Sequence, residues 1–334
     1  MYKKKIVLLL TLLTVLLISC SNGGKETEVK KTAKIRVGYM PDFSGTSAVA
    51  IALEKGFFEE ENLDVSLIRF LDGPSEIDAM LLNNLEFAYI GHGAHTLAIY
   101  GKVNVLFPNS LSKSEQIIAR AQSQINTVSD LRGKTVGTQF GTSSEILLDL
   151  ALRTLGIDRA ELNIVNMDGP TIVSSISNKE IDAAAVQAPY TFNILKNLGN
   201  DVKTIATTID YSDVGAFPSS WIVTPEYQAK NPDIVNRFSR AILKAMNYRS
   251  NNMDEAVEIV AKQNNTDTDS VNLEKETAVW LSGMDIQNAY LDGTASKWYK
   301  LQQNIFIYTK AITNSADINS YVQIKYMNDN IFNK

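Results

Sequence analysis

Two histidines, His92 and His95, and one cysteine, Cys20, are all that this 334-residue sequence offers for imidazole or thiol chemistry. The histidines stand three apart in Gly91-His92-Gly93-Ala94-His95, a spacing that could share one ion. A zinc site needs three or four nitrogen, sulfur or oxygen ligands, and no second histidine cluster or further cysteine exists to complete it. We therefore expect no metal, no cofactor and no cysteine nucleophile. A serine hydrolase would carry a Gly-x-Ser-x-Gly elbow, and none is present. The densest polar group is Gly141-Thr142-Ser143-Ser144-Glu145. At the start of a helix, its hydroxyls would stand beside free backbone N–H groups, a ready site for an anion or a polar ligand. A capping box, with Thr142 capping and Glu145 reaching back, explains the same residues. Both readings stay open, and they are compatible. Tyr39-Met40-Pro41-Asp42-Phe43 offers a ring and a carboxylate, or a turn with Phe43 tucked inside. In Pro218-Ser219-Ser220-Trp221, Trp221 is placed either to stack on a ligand or to pack a hinge. His92 or its loop amides are candidates for ligand contact, whereas His95, just inside the following helix, reads as structural. Asp168-Gly169-Pro170 most simply opens a helix.

The elements that would position these groups alternate from Ile35 onward. Short β-branched runs (35–39, 63–70, 85–90, 103–107) alternate with helical segments such as Ser47–Lys55, ended by Gly56, and a helix opened by Pro74. A second series follows: strands at 117–121, 135–137, 162–165, 181–186 and 202–206, and helices at 143–155, 171–177 and 190–198. After Trp221-Ile222-Val223 the pattern turns helical, over 233–248, 253–263, 273–281 and 296–310; Trp280, Trp298 and Tyr299 read there as core. This alternation predicts an α/β fold. Two series with a helical return predict two lobes, residues 33–117 with 217–334 and residues 118–216. The chain would cross near 114–116 and 218–221, giving a hinge over an interlobe cleft. Ligands of open α/β sheets sit at the carboxyl ends of strands, where the candidate loops lie.

Lys3, Lys4 and Lys5 precede an apolar stretch from Ile6 to Ile18. That stretch is shorter than the ~20 residues a membrane span needs and reads as an export signal. It ends in Leu17-Ile18-Ser19-Cys20, which resembles the lipobox of bacterial lipoproteins. The resemblance implies cleavage after residue 19 and lipid attachment to Cys20; an ordinary cleaved signal is the alternative. Residues 20–32 then form a lipidated, flexible tether. The formal net charge of −5 includes Lys3, Lys4 and Lys5, so without them the chain carries −8. With no basic tract, a nucleic-acid partner is not expected.

Several ordered motifs between roughly residues 34 and 225 resemble one family. They are Asp130-Leu131-Arg132-Gly133-Lys134-Thr135-Val136-Gly137, the Gly141-Thr142-Ser143-Ser144 helix start, Gly56-Phe57-Phe58, and Gln187-Ala188-Pro189-Tyr190. They look like the taurine, aliphatic-sulfonate, nitrate and thiamine-precursor receptors of ABC importers. The resemblance implies a two-lobe type-II periplasmic-binding-protein fold, each lobe a mixed sheet flanked by helices, closing on its ligand. It implies that Gly141, Thr142, Ser143, Ser144, Gln187 and Tyr190 contact that ligand. The family's Asp-Pro-Tyr loop reads Ala188-Pro189-Tyr190 here, so its acidic residue is missing, and with it a partner for a ligand ammonium at that position.

The expected function is capture of a small polar or anionic molecule outside the cytoplasm, sulfonate- or taurine-like first, for delivery by a lipid-anchored monomer to an ABC permease. A pyrimidine, thiamine-precursor or riboflavin-like ligand is the alternative, favoured if Tyr39, Tyr190 and Trp221 stack on it. Same-fold enzymes would need cysteines that the chain lacks. A ligand sensor on the same fold is the remaining rival.

Overall fold

The computed structural model describes residues 31–211 and 216–333. The export signal, Cys20 and nearly all of the tether lie outside the described residues. Among the described residues, no helix is long and apolar enough to cross a membrane.

The first lobe opens with β1 (Ala33–Tyr39), α1 (Phe43–Glu54), the short α2 (Phe57–Glu60), β2 (Leu63–Arg69), α3 (Gly73–Leu81), β3 (Phe87–Ile90), α4 (His95–Ile99) and β4 (Asn104–Ser112). Gly56, between α1 and α2, sits at φ +72°, a left-handed turn that a side chain would strain. The second lobe contains β5 (Gln116–Arg120), β6 (Thr135–Thr138), α5 (Ser143–Thr154), β7 (Asn163–Asn166), α6 (Gly169–Ser177), β8 (Ala183–Val186), α7 (Tyr190–Leu198) and β9 (Val202–Thr207). β10 (Pro218–Val223) returns to the first sheet. After it come α8 (Pro225–Lys230), α9 (Pro232–Asn251), α10 (Met253–Asn264), α11 (Thr268–Glu274), β11 (Ala278–Trp280), α12 (Gly283–Leu291), α13 (Thr294–Tyr308) and α14 (Ile324–Met327).

Six strands form the first sheet, in the order β11-β4-β10-β3-β1-β2, and five the second, β7-β6-β8-β5-β9. Both sheets are mixed for the same reason. β1 pairs in parallel with β2 and β3, and β6 with β7 and β8. The strand that arrives from the other lobe runs against its neighbours: β10 against β3 and β4, β5 against β8 and β9. The second sheet is buried on both faces. Ile117, Ala119, Ala183 and Ala185 face one apolar cluster, while Ile118, Ala184 and Val186 face another, the period-two alternation of strands. α5 packs on both lobes: Leu147, Leu148, Ala151 and Leu152 join the second lobe's core, and Ile146 and Leu150 join the first lobe's. The start of α5 is thereby fixed at the junction.

Two expectations need correction. The segment expected as one helix over 273–281 is the end of α11 followed by the edge strand β11, which pairs with Ser110–Ser112 of β4. Three residues on a sheet edge are too few to display a period. β4 also continues past Phe107 to Ser112, because β10 and β11 pair with its far end.

Candidate functional site

The cleft between the lobes is lined by residues of both, with about 650 Å³ of space counting its open mouth. Its first-lobe wall is built on the N-terminus of α1. Asp42 is the cap: its backbone is extended and its Oδ1 accepts from Gly45 N at 2.7 Å. A second carboxylate joins from α11, more than two hundred residues away, where Glu274 Oε2 accepts from Phe43 N at 2.7 Å. One helix end therefore collects two acids, as its free N–H groups favour. Glu274 also lines the cleft.

Burial is the main influence on both groups. It pushes Asp42 up to about 7, against the N–H groups of Gly45 and Ser44. It pushes Glu274 up to about 8, helped by the charge of Asp42 and opposed by Phe43 N–H. Behind them Glu76 is fully buried with no partner for either carboxyl oxygen, and burial holds it well above the usual carboxylate range. Beside the acids runs a hydroxyl chain. Tyr89 donates to Ser44 Oγ at 2.6 Å, Ser44 lies 3.2 Å from Ser110, and Ser110 lies 2.7 Å from Ser219.

Trp280 completes this wall. Its ring meets Phe43 edge-on at 4.8 Å and is backed by the guanidinium of Arg249 at 5.2 Å. Arg249 is fully buried and has no carboxylate partner. It donates to Ser47 Oγ, Asn109 Oδ1 and O, and Leu281 O, and burial lowers it to about 9. Trp280 was expected in a helical core; on β11 it lines the cleft instead.

The loop after β3 forms the roof. His92 lines the cleft and is 1% exposed, packed between Phe217 and Phe306 at 4.2 and 4.8 Å. Gln302 Nε2 lies 3.3 Å from His92 O, which can only accept, so the amide nitrogen faces the histidine. The same nitrogen lies 3.0 Å from His92 Nδ1, which must therefore accept too. Burial holds the ring well below its ordinary value, hence neutral, and the proton sits on Nε2. That N–H has no partner among the described residues. His95, by contrast, is consumed by the core: Nδ1 meets Gly91 O and His92 O, and Nε2 meets Ser220 Oγ at 2.8 Å.

The second-lobe wall is the start of α5. Thr142 occupies the cap position, but its hydroxyl donates to Gln139 O at 2.7 Å instead of accepting from the helix. Glu145 reaches back to Gly141 N, not to Thr142. The capping box is thus not formed, and the first N–H groups of α5 have no side-chain cap. Glu145 is itself braced by Arg159, which also binds Asp149. Ser144 is fully buried and donates to Gln187 Oε1, so it positions Gln187 and does not face the cleft.

The lobes touch across the cleft. Gln139 Nε2 donates to Asp72 Oδ2 at 2.8 Å, and a Cβ on Gly93 would stand 2.3 Å from the backbone carbon of Thr142. At the crossings, the buried Glu115 accepts from Ser112 and Thr208 and ties the two connections together.

Of the residues singled out from sequence, Asp42, His92, Gly141, Thr142, Ser143 and Gln187 line the cleft, and Tyr39, Ser144, Tyr190 and Trp221 do not. Tyr39 is buried, its hydroxyl 3.4 Å from Gln263. Tyr190 packs on Gly169, where a Cβ would meet its ring at 2.1 Å. Trp221, read from sequence as stacking on a ligand or packing the hinge, is fully buried between Tyr89 and Phe238. Sequence reasoning missed Ser44, Asp72, Tyr89, Ser219, Glu274 and Trp280. Asp72 alone had a visible signal, an acid capping Gly73-Pro74 after a strand. Among the described residues, no lysine or arginine lines the cleft, and no group of three or more histidines, cysteines or acids is placed to hold a metal ion.

The NMT1/THI5-like family matches residues 45–256. A binding protein of Brucella abortus is 32% identical, covering 87% of this chain and 91% of its own. The taurine-binding periplasmic protein of Escherichia coli is 24% identical over 60% of this chain and 62% of its own. In structure, the periplasmic aliphatic sulphonate binding protein of Escherichia coli superposes with a TM-score of 0.66 at 18% identity, over 88% of this chain and 98% of that one. With the two-lobed fold, the span of the family match and the identity to the Brucella protein, the chain belongs to the NMT1/THI5-like family.

Proposed function

We propose that this chain is the extracytoplasmic solute-binding component of an ABC importer. It takes a small polar or anionic molecule, sulfonate- or taurine-like first, between lobes 33–117 with 217–334 and 118–216, and hands it to the permease. The observation that carries this reading is the pairing of two polar walls across a closable gap. On one side stand the uncapped start of α5 and Gln187; on the other stand the His92 loop and the Asp42 end of α1. Relatives named for taurine and aliphatic sulphonates agree with it. Cys20 would carry the lipid that keeps a monomeric receptor beside its permease.

No bond-breaking step is part of the proposal. Among the described residues, the histidine–serine pair that forms a hydrogen bond, His95 with Ser220, is sealed in the core. A second reading, a pyrimidine of the thiamine-precursor type, is favoured by the Trp280 ring beside two carboxylates. Calorimetric titration of the purified protein with taurine, ethanesulfonate, nitrate, riboflavin and aminopyrimidines tests the receptor reading. Micromolar binding by one of them is expected; failure of all refutes it.

A further inference from the structure

The acids in the cleft are not equivalent. Asp72 is satisfied by Ser75 N, Ser75 Oγ and Gln139 Nε2, and Glu115 by Ser112 and Thr208, so both hold the protein together. Asp42 and Glu274 each use one oxygen on the end of α1 and face the gap beside Trp280. Glu76 stands behind them, its two oxygens without partners. Among the described residues, no cation lines the cleft. The loop at Gln187-Ala188-Pro189-Tyr190 brings no acid, so recognition of a positive group falls to the first lobe.

An independent observation points the other way along the ligand. Gln302 holds one edge of the His92 ring and phenylalanines cover its faces, which leaves the Nε2 edge of a cleft-lining, 1% exposed side chain with an unused N–H. That donor calls for an acceptor atom on the ligand.

Resting on the receptor reading, we infer that Asp42 and Glu274 seat a protonated or hydrogen-donating nitrogen of the ligand while His92 Nε2–H holds an acceptor. The ligand is then an amino-bearing molecule, either an aminoalkanesulfonate zwitterion or an amino-substituted heterocycle, and not a bare anion. Their shared chemistry is an amino nitrogen a short distance from an acceptor.

Titration calorimetry with matched pairs tests this: taurine against ethanesulfonate, and 4-aminopyrimidine against pyrimidine. One amino compound is expected to bind, its desamino partner at least tenfold more weakly, and the binding pair tells which of the two sources is used. Asp42→Asn and Glu274→Gln keep an acceptor for Gly45 N–H and Phe43 N–H, and each is expected to weaken the amino compound ten- to a hundredfold. His92→Phe, which fits between Phe217 and Phe306, is expected to cost about tenfold. Circular dichroism and melting of each variant confirm folding. Equal binding of a desamino partner, or unchanged affinity in folded Asp42→Asn and Glu274→Gln proteins, overturns the inference and leaves the receptor reading standing. Absence of binding by every compound overturns both.

Discussion

Replacing Glu274 by glutamine changes how the stability of the ligand-free protein depends on pH. Burial raises this carboxyl from 4.5 in the unfolded chain to about 8 in the folded one. The folded state therefore keeps a proton that the unfolded state releases between those values, and stability falls as pH rises through this window. One pKa unit corresponds to ~1.4 kcal/mol, so the full shift amounts to ~5 kcal/mol. Water entering the cleft and relaxation around the charge reduce this to about 2 kcal/mol, or ~4 °C of melting temperature for a domain of roughly 300 residues. Glutamine preserves the hydrogen bond from Phe43 N and cannot ionise. Melting curves from pH 5 to 8.5 should show the two proteins nearly equal at pH 5 and Glu274→Gln about 4 °C higher at pH 8.5. Asp42, raised from 3.8 to about 7, still titrates in the variant, so some slope remains below pH 7. A constant difference across the range refutes the placement of Glu274 as a strained buried acid.

Gly93→Ala sets a Cβ 2.3 Å from the Thr142 backbone, so closure should fail and ligand affinity drop at least tenfold in calorimetry, with the ligand-free melting temperature within about 2 °C of wild type. Ser143→Leu should abolish ligand-induced thermal stabilisation by covering the N–H groups at the start of α5. Trp221→Ala removes a fully buried indole and should cost ~3–5 kcal/mol in urea unfolding, with the ligand affinity of the folded fraction unchanged.

The second-lobe side of the cleft was legible because its chemistry is local. Gly141 to Ser144 and the helix they open lie within a dozen residues, so glycine, hydroxyls and apolar periodicity announce the turn together. The orientations of Thr142, Ser144 and Tyr190 had to come from the fold. The first-lobe side is assembled from distant segments. Tyr89 reaches Ser44, Ser110 reaches Ser219, and Glu274 reaches Phe43, each across tens to hundreds of residues. No window of sequence contains such a pair. Trp280 was misassigned, and Trp221 left open, for one reason: an indole beside an apolar run looks the same whether its strand is central, as β10 is, or an edge, as β11 is.

The extent of the family match sharpens this contrast. It covers residues 45–256, which include the His92 loop, the start of α5 and Gln187. Asp42, Ser44, Glu274 and Trp280 line the cleft from outside that span. In the proposed site, the first turn of α1 and the α11–β11 segment supply the two acids and the ring. These two pieces are joined through Glu274 on Phe43 N, and Arg249 fixes them in place by tying Ser47 of α1 to Asn109 and Leu281. A buried guanidinium held by neutral acceptors is costly, yet here it backs the Trp280 ring without entering the cleft, bracing the wall from which Asp42 and Glu274 face the gap.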